Sequence, residues 1–181
     1  MSADELQELQ EHAEHAKHNP DLAPVSLTMA IVAVLVATIT LLGHRAHTEE
    51  VILQNKASDQ WAFYQAKNIR RHSDEQFADI ASVIASKDAE RTSKLREKYS
   101  AEAERYRDEQ KELDTEARKL EQETQQERRR ADRFDLAEVF LEIALVITSI
   151  TLLSGRRIFW HSGIVMACLG IAVAVTGLLI H

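Results

Sequence analysis

Two carboxylates stand four residues apart inside an otherwise apolar run. They are Glu138 and Glu142, and Leu145 and Ser149 continue the same helical face. Ionisable groups at such depth are costly and usually face a helix-bundle interior or a watery cavity. If a bilayer begins at Leu136, helical rise puts Glu142 about 9 Å inside it. Two chemistries fit. One is a proton or cation site made by Glu138, Glu142 and Ser149. The other, preferred, is a structural contact in which a protonated carboxyl hydrogen-bonds Thr or Ser of a neighbouring helix.

Histidines supply the remaining candidates. His44-Arg-Ala-His47-Thr-Glu-Glu50 has metal-ligand residue types on one stretch. A His-x-x-His pair with nearby acids is a weak signal, so juxtamembrane capping and hydrogen bonding is preferred. Near the N-terminus Glu8/His12, Glu11/His15 and Glu14/His18 are i,i+4 pairs, which read as local helix support rather than a tetrahedral ligand set. No phosphate-binding loop, nucleophile elbow or H-E-x-x-H is present, and Cys168 lies within an apolar run. Neither an enzyme nor a cofactor or metal is expected.

Elements must hold these residues at depth. Hydrophobic residues make up 45% of the chain, yet the mean hydropathy is −0.28, so apolar and charged residues are segregated. Residues 25–43 and 158–180 carry no charge, and 136–154 carries only the two glutamates. About 20 helical residues cross a 30 Å hydrocarbon layer. Three transmembrane helices over 25–43, 136–154 and 158–180 are expected. Six acids and a single Lys17 precede the first, which reads as an uncleaved anchor rather than a signal peptide.

Between Val25 and Ser154 there is no proline, and Gly43 is the only glycine, so the helices should be long. The polar segment 44–135 is expected to form an antiparallel, coiled-coil-like helical hairpin. Its turn is placed within residues 86–93, near Lys87 and Asp88, with His72-Ser73-Asp74 as the alternative. Tyr99, Tyr106, Leu113, Leu120 and Phe134 keep a seven-residue spacing that only Glu127 interrupts. Ala103, Gln110, Ala117, Thr124 and Ala131 follow four residues after the positions of that series. This is a thin a/d seam. Of the 48 residues from Asp88 to Asp135, 13 are basic and 15 acidic, a balance that fits a salt-bridged helix surface and not a nucleic-acid partner. Trp61, Phe63, Tyr64, Ile69, Phe77, Ile80 and Ile84 give the first arm most of the apolar contact. Residues 1–24 form a separate segment, with a capping box at Ser2 and Glu5 and an amphipathic helix over 3–17. The fold class is therefore all-α: three membrane helices with the hairpin inserted between the first and second.

In the third run Gly163, Ala167, Gly170, Ala174 and Gly177 make one stripe of small residues. In lipid such stripes let helix backbones approach closely. Ser26, Ala30, Ala33, Ala37 and Thr40 form a similar stripe in the first run and continue into His44 and His47. Two such faces predict a tightly packed homo-oligomer in the lipid bilayer. Eight Lys and Arg flank the hairpin side of the runs (Arg45, Lys56, Arg118, Lys119, Arg128, Arg129, Arg130 and Arg133) against Lys17, Arg156 and Arg157 opposite. The positive-inside rule then places the hairpin in the cytoplasm.

Leu42-Gly-His-Arg-Ala-His-Thr-Glu-Glu50, Gln54-Asn-Lys-Ala-Ser-Asp-Gln-Trp-Ala-Phe-Tyr-Gln-Ala-Lys-Asn-Ile69 and Phe134-Asp-Leu-Ala-Glu-Val-Phe-Leu-Glu-Ile143 resemble blocks of an uncharacterised bacterial membrane family, domain of unknown function 4337. The resemblance implies a multi-pass bacterial inner-membrane protein and brings no activity or site residues. The expected function is structural: a scaffolding membrane protein, either a homo-oligomer or an accessory subunit of a larger membrane complex. The alternative is a proton- or ion-conducting assembly, because the layout is like that of motor stators of the ExbB/TolQ type. That analogy concerns layout alone.

Overall fold

The computed structural model of the chain describes residues 22–83 and 88–180. The expected N-terminal helix with its Glu/His pairs lies outside those residues. Among them there are three α-helices and no strand: α1 (Ala23–Val83), α2 (Ala89–Ser154) and α3 (Arg157–Leu178). Each contains a run long and apolar enough to cross a membrane.

The helices end where backbone chemistry ends them. Pro24 lies in the first turn of α1, where its missing N–H breaks no helical bond. At the start of α2 the Asp88 carboxylate accepts from the Arg91 N–H at 3.0 Å, the bond of an N-cap, and Glu90 adds negative charge to the first turn. Residues 72–74 are helical, so α1 does not turn at His72-Ser73-Asp74; of the expected turn, Asp88 is described and precedes α2, while Lys87 lies outside the described residues. Gly155 stops α2 at φ +65°, with its N–H still bonded to the Thr151 carbonyl at 2.9 Å. An L side chain there carries a steric penalty that glycine does not.

The described residues divide into two compact units, one of residues 50–125 and one holding residues 126–180 with 22–49. In the second of these, Phe134, Ala137, Leu141 and Ala144 of α2 meet Val32 and Ile39 of α1 and Ala167 and Ala174 of α3 in one core. All four α2 residues are at most 1% exposed. In the 50–125 unit Phe77 stacks on Tyr99 with centroids 5.3 Å apart. Lys67 pairs with Glu109, and the Trp61 indole donates to Glu121 at 2.8 Å. Later residues of α1 thus meet earlier residues of α2. The Lys67 ammonium, by hydrogen bonding, holds the Glu109 carboxyl below its ordinary range.

Burial follows heptads. On α2 Tyr99, Tyr106, Leu113, Leu120 and Glu127 are half-buried, and Phe134, Leu141 and Thr148 continue the same spacing fully buried. The companion positions Ala103, Gln110, Ala117 and Ala131 are buried as well. α1 keeps one phase from Val25 through Val32, Ile39, Ala46 and Leu53 to Ala81, all buried, with Gln60, Lys67 and Asp74 half-buried between. Burial therefore recurs every seven residues within the apolar part and within the charged part of each long helix.

Candidate functional site

Glu138 and Glu142 share a helix face but not an environment. The Thr40 hydroxyl of α1 reaches Glu138 Oε1 at 2.6 Å and also its own helix at the Val36 carbonyl, 2.9 Å away. Glu138 is half-buried by this contact. One turn on, Glu142 is exposed, and no group among the described residues pairs with it. Ser149 is half-buried, and its hydroxyl donates to the Val146 carbonyl at 2.7 Å, back onto its own helix. The three are not brought together. Glu138 belongs to an α1–α2 tie, Glu142 faces outward, and Ser149 is occupied locally.

The histidine motif also separates. His44 is exposed, while His47 is half-buried and its Nε2 lies 3.0 Å from Asp135 Oδ2. Gly43 makes room there: a Cβ on it would stand 3.3 Å from Asp135 Oδ1 and 3.5 Å from Phe134 Cβ. No group of three or more His, Cys, Asp or Glu poised to hold a metal occurs among the described residues. Cys168 is exposed.

The stripe Gly163, Ala167, Gly170, Ala174 and Gly177 is buried along its whole length, and its partner is α2 of the same chain. A Cβ on Gly163 would meet Thr148 Oγ1 at 2.1 Å, one on Gly170 would meet Leu141 Cγ at 2.9 Å, and one on Gly177 would meet Arg133 Cβ at 3.1 Å. The α1 stripe divides: Ala33 is buried, whereas Ala30 and Ala37 are exposed. Ala30 lines a shallow apolar groove with Ile31, Val34 and Leu35.

Sequence reasoning missed two of the ties. Trp160, at the start of α3, donates from Nε1 to the Thr28 hydroxyl of α1 at 3.1 Å, and Asp135 is the partner of His47. The available signal was polar residues at the heptad edge of a long helix. Thr40→Val keeps the shape and removes the hydroxyl that serves Glu138. It is expected to lower stability by about 0.5–2 kcal/mol, the range of a single side-chain hydrogen bond between helices. Thermal unfolding of the detergent-solubilised chain measures it, and an unchanged melting temperature would remove Glu138 from the tie.

An all-helical chain whose three helices each hold a run long and apolar enough to cross a membrane, with polar groups joining one helix to the next, is the class defined here. Within that class, the sequence belongs to the family described as domain of unknown function 4337 (DUF4337), matched over residues 21–180. No curated protein and no solved structure matches it.

Proposed function

We propose that the chain is a structural, scaffolding membrane protein, acting as a homo-oligomer or as an accessory subunit of a larger membrane complex. In this reading 25–43, 136–154 and 158–180 span the bilayer, and 44–135 projects from it as an antiparallel, coiled-coil-like hairpin. That bilayer is taken to be a bacterial inner membrane, which the family resemblance supports, and the hairpin is taken to be cytoplasmic, which the flanking basic residues favour. One observation carries the reading. Side-chain hydrogen bonds join one helix to the next: Thr40 with Glu138 and Trp160 with Thr28 between the spans, and His47 with Asp135 just beyond them.

The conducting alternative meets an obstacle in the same region. Around the two glutamates the helix interior is filled by Ala137, Leu141 and Ala144, all 0% exposed. A water route to Glu142 would have to form outside that core. Glu142→Gln keeps size and most hydrogen-bonding capacity, so a scaffold should assemble like the parent. Proton flux into liposomes carrying either protein is the measurement. No flux above background is expected from the parent. Parent flux that disappears in Glu142→Gln, with assembly intact, overturns the scaffold.

A further inference from the structure

The outward position of Glu142 has a consequence inside a bilayer, given the scaffold reading above. Between Glu142 and Arg156 lie the 13 residues 143–155. They rise about 20 Å, roughly 10 Å short of the hydrocarbon thickness. Glu142 therefore cannot sit at the membrane surface while Arg156 sits at the other. Toward the near end, the six residues 136–141 separate it from Asp135, which is held by His47. A carboxyl about 10 Å deep, exposed on the single chain and without a partner among the described residues, is not left against lipid tails.

The face around it has a repeat. Asp135, Glu142 and Ser149 recur every seven residues, and Val139, Val146 and Leu153 fall four residues after each. That is an a/d register with polar residues at a, on a side of α2 turned away from the core and bordering the α1 contact, where Asp135 is tied to His47. Val139 is 50%, Val146 61% and Leu153 84% exposed. In a coiled coil a polar a position fixes register and partner, and in lipid polar side chains supply the glue between helices.

We propose that this α2 face, centred on Glu142, is where a second copy of the chain docks within the bilayer, parallel and in register, with the two Glu142 carboxyls side by side. Self-association accounts for the chemistry. Copies inserted the same way hold Glu142 at one depth, and two carboxyls facing each other hydrogen-bond through a shared proton, each serving as the other's partner. An unrelated helix would need its own donor at that depth. The α3 stripe is filled from within the chain, so it is not free to serve as this contact. The water-facing surface also calls for a neighbour: Phe63, Ile69, Phe77 and Ile80 are 60%, 68%, 52% and 50% exposed, more apolar surface than a solitary hairpin usually shows water.

The experiment uses the full chain with Cys168→Ser and one new cysteine, oxidised in the membranes of the expressing cells. Val139→Cys and Val146→Cys are expected to give disulfide-linked dimers several times more efficiently than Val165→Cys, an exposed α3 position. In the cysteine-free chain, Glu142→Leu should raise the dimer dissociation constant roughly threefold to thirtyfold, while Glu142→Gln stays near the parent. The mass of the nanodisc-embedded parent separates two failures. An oligomer that never cross-links at Val139 or Val146 overturns this contact and leaves the scaffold standing. A strict monomer overturns this contact and the homo-oligomeric form of the scaffold together. Cross-links to a different protein, or equal yields at all three positions, overturn the second copy as occupant.

Discussion

Gly163→Leu is expected to leave no intact three-helix unit, and Gly163→Ala to weaken it measurably. The reason is the closest approach of α3 to α2. A methyl group on Gly163 would stand 2.1 Å from Thr148 Oγ1, 3.3 Å from Thr148 Cβ and 3.1 Å from the Ala144 carbonyl. Thr148 is 0% exposed and its hydroxyl is already bonded to that carbonyl at 2.7 Å. The clash must therefore turn Thr148 out of its bond or push the helices apart. Overpacking of this kind costs about 1–3 kcal/mol. Alanine's better helix propensity returns up to about 1 kcal/mol, so the net loss for Gly163→Ala falls at the low end. The test is rescue. Thr148→Ala removes the obstructing hydroxyl, and the double variant should melt above Gly163→Ala alone, a coupling that independent sites do not show. If Gly163→Ala melts with the parent, or Thr148→Ala only adds to its loss, the close approach at this level is wrong.

That glycine shows how far the sequence reaches. The four-and-three spacing from Gly163 to Gly177 marks a helix face made for close packing, and the structure finds every one of those residues buried. Spacing names a face, however, and not the face's partner. The sequence assigned the stripe to contacts between chains, whereas α2 of the same chain fills it. Glu138 and Glu142 pose the same problem more sharply. One helical turn separates them and their faces differ by about 40°, yet the former meets Thr40 and the latter has no polar partner among the described residues. Only the crossing of α1 over α2 decides which of the two is covered.

Helix ends were more legible, because they depend on local chemistry. Asp88 and Gly155 lie where capping and φ > 0 demand them, and residues without proline or glycine between them stay helical. The heptad was visible from Tyr99 to Phe134, but its continuation through Leu141 and Thr148 was hidden. Inside an apolar run nearly every position is apolar, so periodicity loses contrast just where the core begins.

Ala117→Asp is expected to open the seam of the charged segment, and Ala117 is the most sensitive place to ask. It is 0% exposed, with Ala103 and Gln110 at 7% and 5%, whereas the larger Leu113 and Leu120 are only half-buried. The small side of the seam is thus the closed side. A carboxylate there has neither water nor room, and removing a charge from water without a fitted partner costs several kcal/mol. Leu113→Asp, at a half-solvated position, should cost less. Glu116→Ala, on the exposed surface next door, should cost within about 0.5 kcal/mol of nothing. Because many cations line this segment, a second variant guards against an accidental ion pair. Ala117→Leu adds no charge and should destabilise by overpacking alone, by about 1–3 kcal/mol. Amide hydrogen exchange of the full-length protein in detergent reads the outcome over residues 50–83 and 89–125. Protection should fall across both stretches in Ala117→Asp, to a lesser degree in Ala117→Leu, and stay at the parent level in Glu116→Ala. Parent-like protection in both Ala117 variants would mean that the two arms do not meet at this position, and the seam would have to be redrawn around Leu113 and Leu120.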